Sequence, residues 1–128
     1  MRNCEGVLHP YARKGILLFN EGRYFEAHED LEIAWRQETN SLREVYQGIL
    51  EAGVTYLHVQ RRNLAGAVKV YKRCLRWLQD LPEVCLGIGI GQLRRDLEAM
   101  MTEAVRLGPN RLDEINPDLF QPIRWEQV

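Results

Sequence analysis

Apolar positions recur every three to four residues from Pro10 to Gly108, and nowhere does the chain alternate apolar and polar residues as a half-buried strand requires. The spacing predicts five helices. Pro10 suits a first helical position, so the first helix runs from there to about Glu21, and Gly22 stops it because glycine tolerates positive φ. The second covers about Arg23 to Glu38 and the third about Leu42 to Arg62. Asn40 and Ser41 offer caps for the third helix, and Glu44 completes a capping box with Ser41. Asn63 turns the chain into a fourth helix, about Leu64 to Asp80. Pro82, Gly87, Gly89 and Gly91 interrupt the pattern, and the fifth helix resumes near Gln92 and ends at Gly108 and Pro109.

The expected fold class is all-α: a compact bundle of about five helices built from two helical hairpins, plus a fifth helix and an extended C-terminal tail. One domain spans residues 1–128, with a glycine-rich connector at 81–91 and a tail at 109–128 whose Leu119, Phe120, Ile123 and Trp125 dock on the helices. Phe19 to Leu31 and Val59 to Tyr71 repeat a turn residue, an alanine and a large apolar residue at a spacing of about 40. This looks like the two-helix unit of tetratricopeptide repeats, though two units are fewer than a solenoid needs.

A wheel of the second helix puts Tyr24, Ala27, Leu31, Ala34 and Trp35 on one face, with His28 and Glu32 inside the apolar arc and Glu29 just beyond. The third helix is apolar around most of its circumference. Its polar stripe is Glu44, Gln47, Glu51, Thr55, His58 and Arg62, bordered by Gly48, which would admit another helix closely. A three-residue connection favours antiparallel neighbours, so His28, Glu29 and Glu32 are expected to face Glu51 and His58. Such a cluster is either a divalent-metal or acid–base site, taking zinc, manganese or iron, or a hydrogen-bond network that locks the helix crossing. The His28 and Glu32 spacing lacks the second histidine of the zinc-protease motif.

Phe19, Asn20, Gly22, Phe25, Glu26, Ala27, His28, Glu29, Leu31, Glu32 and Trp35, followed by Gln47, Gly48, Ile49, His58, Asn63, Gly66 and Ala67, resemble the family catalogued as domain of unknown function 309, over about residues 15–80. The resemblance implies an all-helical prokaryotic protein and carries the label of a metal-dependent hydrolase. On that label the metal ligands would be His28, Glu32 and His58. Glu29 or Glu51 would be the base acting on metal-activated water. Trp35 and Asn63 join the candidate positions. The alternative is a tetratricopeptide-like interaction or structural module with no catalysis, whose partner would be another protein or a second copy.

Composition narrows the classes. With 45% hydrophobic and 27% charged residues and a net charge of -1, nothing points to disorder, and nucleic acid is disfavoured as a partner. The fourth helix departs from that balance: Lys69, Lys72, Arg73 and Arg76 share a face, and Lys72 and Arg76 are its candidate anion contacts. The stretch Gly87-Ile88-Gly89-Ile90-Gly91 lacks the strand and lysine of a phosphate loop and reads as a connector. Three widely spaced cysteines, Cys4, Cys74 and Cys85, read as free thiols, and no apolar run reaches membrane-spanning length, so a reducing cytoplasmic setting is expected.

Overall fold

The computed structural model describes residues 4–126. Five helices form where the apolar period places them: α1 Pro10–Asn20, α2 Tyr24–Gln37, α3 Leu42–Gln60, α4 Leu64–Leu78 and α5 Ile90–Leu107. Successive members of α1 to α4 pack side by side, while α5 touches α4 sparingly and leans on the connector and tail. α3 is the centre, with Val45, Ile49, Ala52 and Tyr56 fully buried. Its start differs from the expected capping box. Ser41 makes no side-chain cap, and the Asn40 side chain instead accepts from the Leu42 amide at 2.8 Å.

The two hairpin turns are hydrogen-bonded alike, residue for residue, at an offset of 40. The Gly22 amide donates to the Phe19 carbonyl and Arg23 to Leu18; the Arg62 amide donates to Val59 and Asn63 to His58. In each turn one residue must adopt positive φ: Gly22 at 78° and Arg62 at 60°. A single left-handed residue closes a helix end by returning amides to orphan carbonyls, a role glycine fills with less strain than arginine. The equivalent Ala27 and Ala67 are both fully buried, so the repeat read in the sequence is a repeat of structure.

Glycines set the helix spacing. A Cβ on Gly15 would lie 2.7 Å from Leu31 Cγ, and one on Gly48 would lie 2.5 Å from Leu78 Cδ2 and 3.2 Å from Trp77 Cβ. α1 therefore lies directly on α2, and α3 on the end of α4. Around Gly53 the aromatic rings close the other end of the core: Tyr24 stacks on Tyr56 at 5.3 Å between ring centres, Phe19 meets both edge-on, and Phe120 of the tail covers Tyr56 at 5.2 Å.

Three expectations are corrected. The connector, where the sequence predicts no strand, holds a short hairpin: Val84–Cys85 (β1) and Ile88–Gly89 (β2) pair antiparallel, and Leu86 and Gly87 between them both take positive φ, as a two-residue hairpin turn requires. The tail is not simply extended. It forms 3-10 turns at Leu112–Glu114 and Pro117–Leu119 before Trp125 pairs with Ile88 beside the hairpin. The Asn20 side chain clamps this strap, donating to the Ile123 carbonyl at 2.9 Å and accepting from its amide at 2.7 Å. Finally, Cys4 and Cys85 are joined in a disulfide, and Cys74 alone is a free, buried thiol. Eighty-one residues separate the bonded pair, so only the folded path of the chain brings them together. The inference of a reducing setting from three free thiols loses its premise.

Gly48→Ala should cost about 1–3 kcal/mol of stability, because the added methyl meets the fully buried Leu78 side chain below contact distance and forces it to shift. Urea unfolding followed by circular dichroism measures it.

Candidate functional site

The residues singled out between α2 and α3 separate into three local arrangements. His28 Nε2 lies 3.7 Å from Glu32 Oε2, one turn away on α2, and Glu32 Oε1 accepts from Arg36 at 2.5 Å. These side chains are about a third exposed, so the pair is a half-solvated row along one helix rather than an enclosed cluster. Glu29 is exposed beside it. Toward the start of α2, Phe25 is also exposed, with the Arg61 guanidinium 5.8 Å from its ring centre.

His58 belongs to a different device. Its Nδ1 accepts from the Asn63 side-chain amide at 3.2 Å, while the Asn63 side-chain oxygen accepts from the Gly66 amide at 3.0 Å. Asn63 is thus the N-cap of α4, and His58 orients the cap. A Cβ on Gly66 would strike the Asn63 amide at 2.5 Å, which accounts for His58, Asn63, Gly66 and Ala67 as one turn-forming set.

Glu51 does not face α2. It lies in the crossing of α3 with α4, where Arg73 Nε approaches Oε1 at 3.2 Å, Gln47 and Trp77 favour the charged carboxylate more weakly, and Oε2 is buried without a hydrogen-bond partner among the described residues. Only 6% of Glu51 is exposed, and loss of water raises its pKa against the opposing pull of Arg73, Gln47 and Trp77. Nearby, the Cys74 thiol donates to the Gly48 carbonyl at 3.3 Å, and burial, with Glu51 adding to it, holds the thiol protonated. The expected meeting of Glu51 and His58 with His28 therefore does not occur. Among the described residues, no three or more His, Cys, Asp or Glu side chains gather in a way that could hold a metal, and His28 with Glu32 supplies one ligand fewer than the three protein ligands a catalytic zinc uses. No chemical step through a metal follows from this arrangement.

Trp35 packs at the start of the α2–α3 connection, its ring under the Arg43 guanidinium at 4.3 Å and its carbonyl accepting from Arg43 at 3.1 Å. Arg76 is exposed in the last turn of α4. Lys72 lines a groove of about 860 Å³ between α4 and α5. Its floor is Val68, Tyr71 and Leu75 from α4 with Met101 and Val105 from α5; Arg94 and Arg95 stand opposite Lys72. A second recess of about 550 Å³ lies under the tail strap, over Phe19, Tyr24 and Phe120.

The groove's α5 wall was missed in the sequence. Arg94, Glu98, Met101 and Val105 follow a three-to-four-residue spacing that marks one helix face, but the connector left the direction of that face undetermined. Glu83, also missed, holds both arginines: its carboxylate lies 3.3 Å from Arg94 and 3.1 Å from Arg95.

Two helical hairpins around a buried central helix, with His58 and Asn63 engaged in a turn and cap, define a small helical-hairpin domain. Residues 12–70, from α1 into α4, match the family described as Domain of unknown function (DUF309), and the resemblance read from its residues holds. An uncharacterized protein of Aquifex aeolicus (strain VF5) is 27% identical over 84 residues, covering 65% of this chain and 25% of that protein. The chain thus matches about a quarter of the length of that relative. Among the described residues no helix is long and apolar enough to cross a membrane.

The raised pKa of Glu51 makes stability depend on pH. The folded protein holds this proton more tightly than the unfolded chain, so the contribution is fully present below the ordinary carboxylate value of about 4.3 and is lost as pH rises through the raised folded value. Glu51→Gln should therefore lack one component of the parent's fall in stability between acid and neutral pH, which parallel urea titrations across that range will read.

Proposed function

We propose that this chain is a non-catalytic docking module whose binding site is the groove between α4 and α5. One observation carries the reading: a broad recess with an apolar floor and a cationic rim, on a face where Val105 is 58% exposed. Exposed apolar surface in a concavity rimmed by polar groups is the usual mark of a binding surface, since a solvated helix face has no need of it. Lys72 has no ion pair among the described residues, and α4 carries no acidic residue along its length.

Two residues expected in the catalytic cluster have structural duties that support the same reading. His58 orients the α4 cap, and Glu51 is held by Arg73 in a helix crossing. A residue spent in this way is not available to move a substrate's proton without disturbing the fold.

Anilinonaphthalene sulfonate, an apolar anion, should bind the folded protein at one site with enhanced fluorescence. Val105→Asp, a change at an exposed position, should weaken it by about tenfold or more without shifting the thermal unfolding midpoint. Binding that is absent, or indifferent to Val105→Asp, removes the site.

The rival reading, metal-assisted hydrolysis, draws on the His28 and Glu32 pair. It requires near-stoichiometric transition metal in protein purified without chelator and its loss from a folded His28→Ala, Glu32→Ala variant. Elemental analysis with that outcome would displace the docking module. Protein that is metal-free and takes up no zinc, manganese or iron would leave the pair as a surface contact.

A further inference from the structure

We infer that the occupant of the α4–α5 groove is an acidic amphipathic helix of a partner protein, which lays an apolar face on the floor and sets carboxylates against Lys72 and Arg95. The inference rests on the docking reading and adds the chemistry of the partner.

The shape of the floor argues for a helix. On α4 its residues are Val68, Tyr71 and Leu75, and on α5 they are Met101 and Val105, flanked by Arg94 and Glu98. Both sets follow helical spacing, so the groove is a trough between two helices with ridges of side chains along each wall. At about 1.5 Å of rise per residue, Val68 to Leu75 spans about 10 Å and Arg94 to Val105 about 16 Å. Two to three turns of an incoming helix fill that length, with anchors at positions one, four, five and eight. α1 through α4 each lie against the next helix in sequence, whereas α4 and α5 meet sparingly, and a further helix in the trough would restore side-by-side packing.

Charge argues for an acidic partner. Lys69, Lys72, Arg73 and Arg76 make a cationic row on α4, in which Arg73 pairs with Glu51. Among the residues lining the groove Glu98 is the single acid, against Lys72, Arg94 and Arg95. Two of those cations already hold a carboxylate supplied by the chain itself. Glu83 comes from the segment just before β1, and its carboxylate rests where a Cβ on Gly91 would be, against Arg94 and Arg95 at one end of the trough. Arg94 is further committed to the chain, donating to the carbonyls of Leu78 and Leu81. Lys72, without an ion pair among the described residues, and Arg95, whose exposed contacts with Glu83 and Gln92 a partner carboxylate can replace, are the cations within a partner's reach. Glu83 shows the chemistry that fits this end of the groove and competes with a partner for it.

The apolar floor separates this surface from one that only attracts polyanions. A nucleic acid would be held by the cationic row through its phosphates and would have no use for Val105 or Leu75. A peptide helix needs both features, so the two classes respond to different variants.

The test is fluorescence anisotropy with a labelled designed helix of about eleven residues that carries leucines at the anchor positions and glutamates flanking them. Three comparisons go with it: a scrambled peptide of the same composition, a lysine-flanked version, and a single-stranded oligonucleotide of equal charge. The acidic amphipathic helix is expected to bind at least about tenfold more tightly than either control peptide. Val105→Asp and, separately, the pair Lys72→Glu, Arg95→Glu should each weaken it by a similar factor, and Glu83→Gln should tighten it. All variants change exposed side chains, and circular dichroism confirms that they fold. If the dye binds the groove but the acidic helix does no better than its scrambled control, the partner assignment fails while the docking site stands. If neither binds, the docking reading itself fails. Oligonucleotide binding that matches the peptide and ignores Val105→Asp would overturn the proposal in favour of a phosphate-binding face.

Discussion

The rest of the molecule depends on one constraint, that α3 is apolar on nearly every side. A helix with no solvated face must be covered all round, and its neighbours divide the task. α2 covers one flank, α4 lies on another at the Gly48 contact, and the aromatic set of Phe19, Tyr24, Tyr56 and Phe120 closes the end nearest the two hairpin turns. The tail exists in its folded form because Tyr56 needs that cover. Phe120 provides it, and the paired hydrogen bonds of Asn20 to Ile123 hold the strap in place.

Covering α3 uses one face of α4 and leaves the opposite faces of the bundle with less to do. Leu78, Cys74 and Ala67 turn inward and are fully buried, while Val68, Tyr71 and Leu75 stay partly exposed along the flank. α5 reaches that flank after the connector and does not close it. The groove is therefore a by-product of satisfying the core, and its basic rim follows from α4 carrying only cations on its solvated side. Polar residues nearer the core have the reverse fate. Glu51 lies in the α3–α4 crossing, where Arg73 pairs with one of its carboxylate oxygens, and His58 and Asn63 lie at the second hairpin turn, where together they cap α4.

The connector ties the ends of the chain to the middle. Its short hairpin receives Trp125 from the tail and Cys4 from the N-terminal segment, and its leading Glu83 pins the first turns of α5. A cross-link closing a loop of 81 residues removes roughly 4–5 kcal/mol of unfolded-state freedom in the chain-entropy picture. A bundle whose fifth helix packs loosely against the fourth gains most from such a brace.

The sequence by itself determined the five helices, the two matched turns, the need for Gly48 at a close crossing and the burial of α3, because each is encoded in neighbours a few residues apart: apolar period, cap residue, left-handed turn. The family resemblance was legible for the same reason, since His58, Asn63, Gly66 and Ala67 form one local turn. What only the tertiary structure decided was direction and long-range company. A short connection says that α2 and α3 are neighbours but not which flank of α3 the Glu51 stripe faces, and it faces α4. The union of Cys4 with Cys85, the clasp of Asn20 on Ile123 and the opposition of Arg95 to Lys72 all join segments whose separation in the chain carries no signal of contact. Those pairings come from the energy of filling one core, which is a property of the whole chain at once and of no stretch within it.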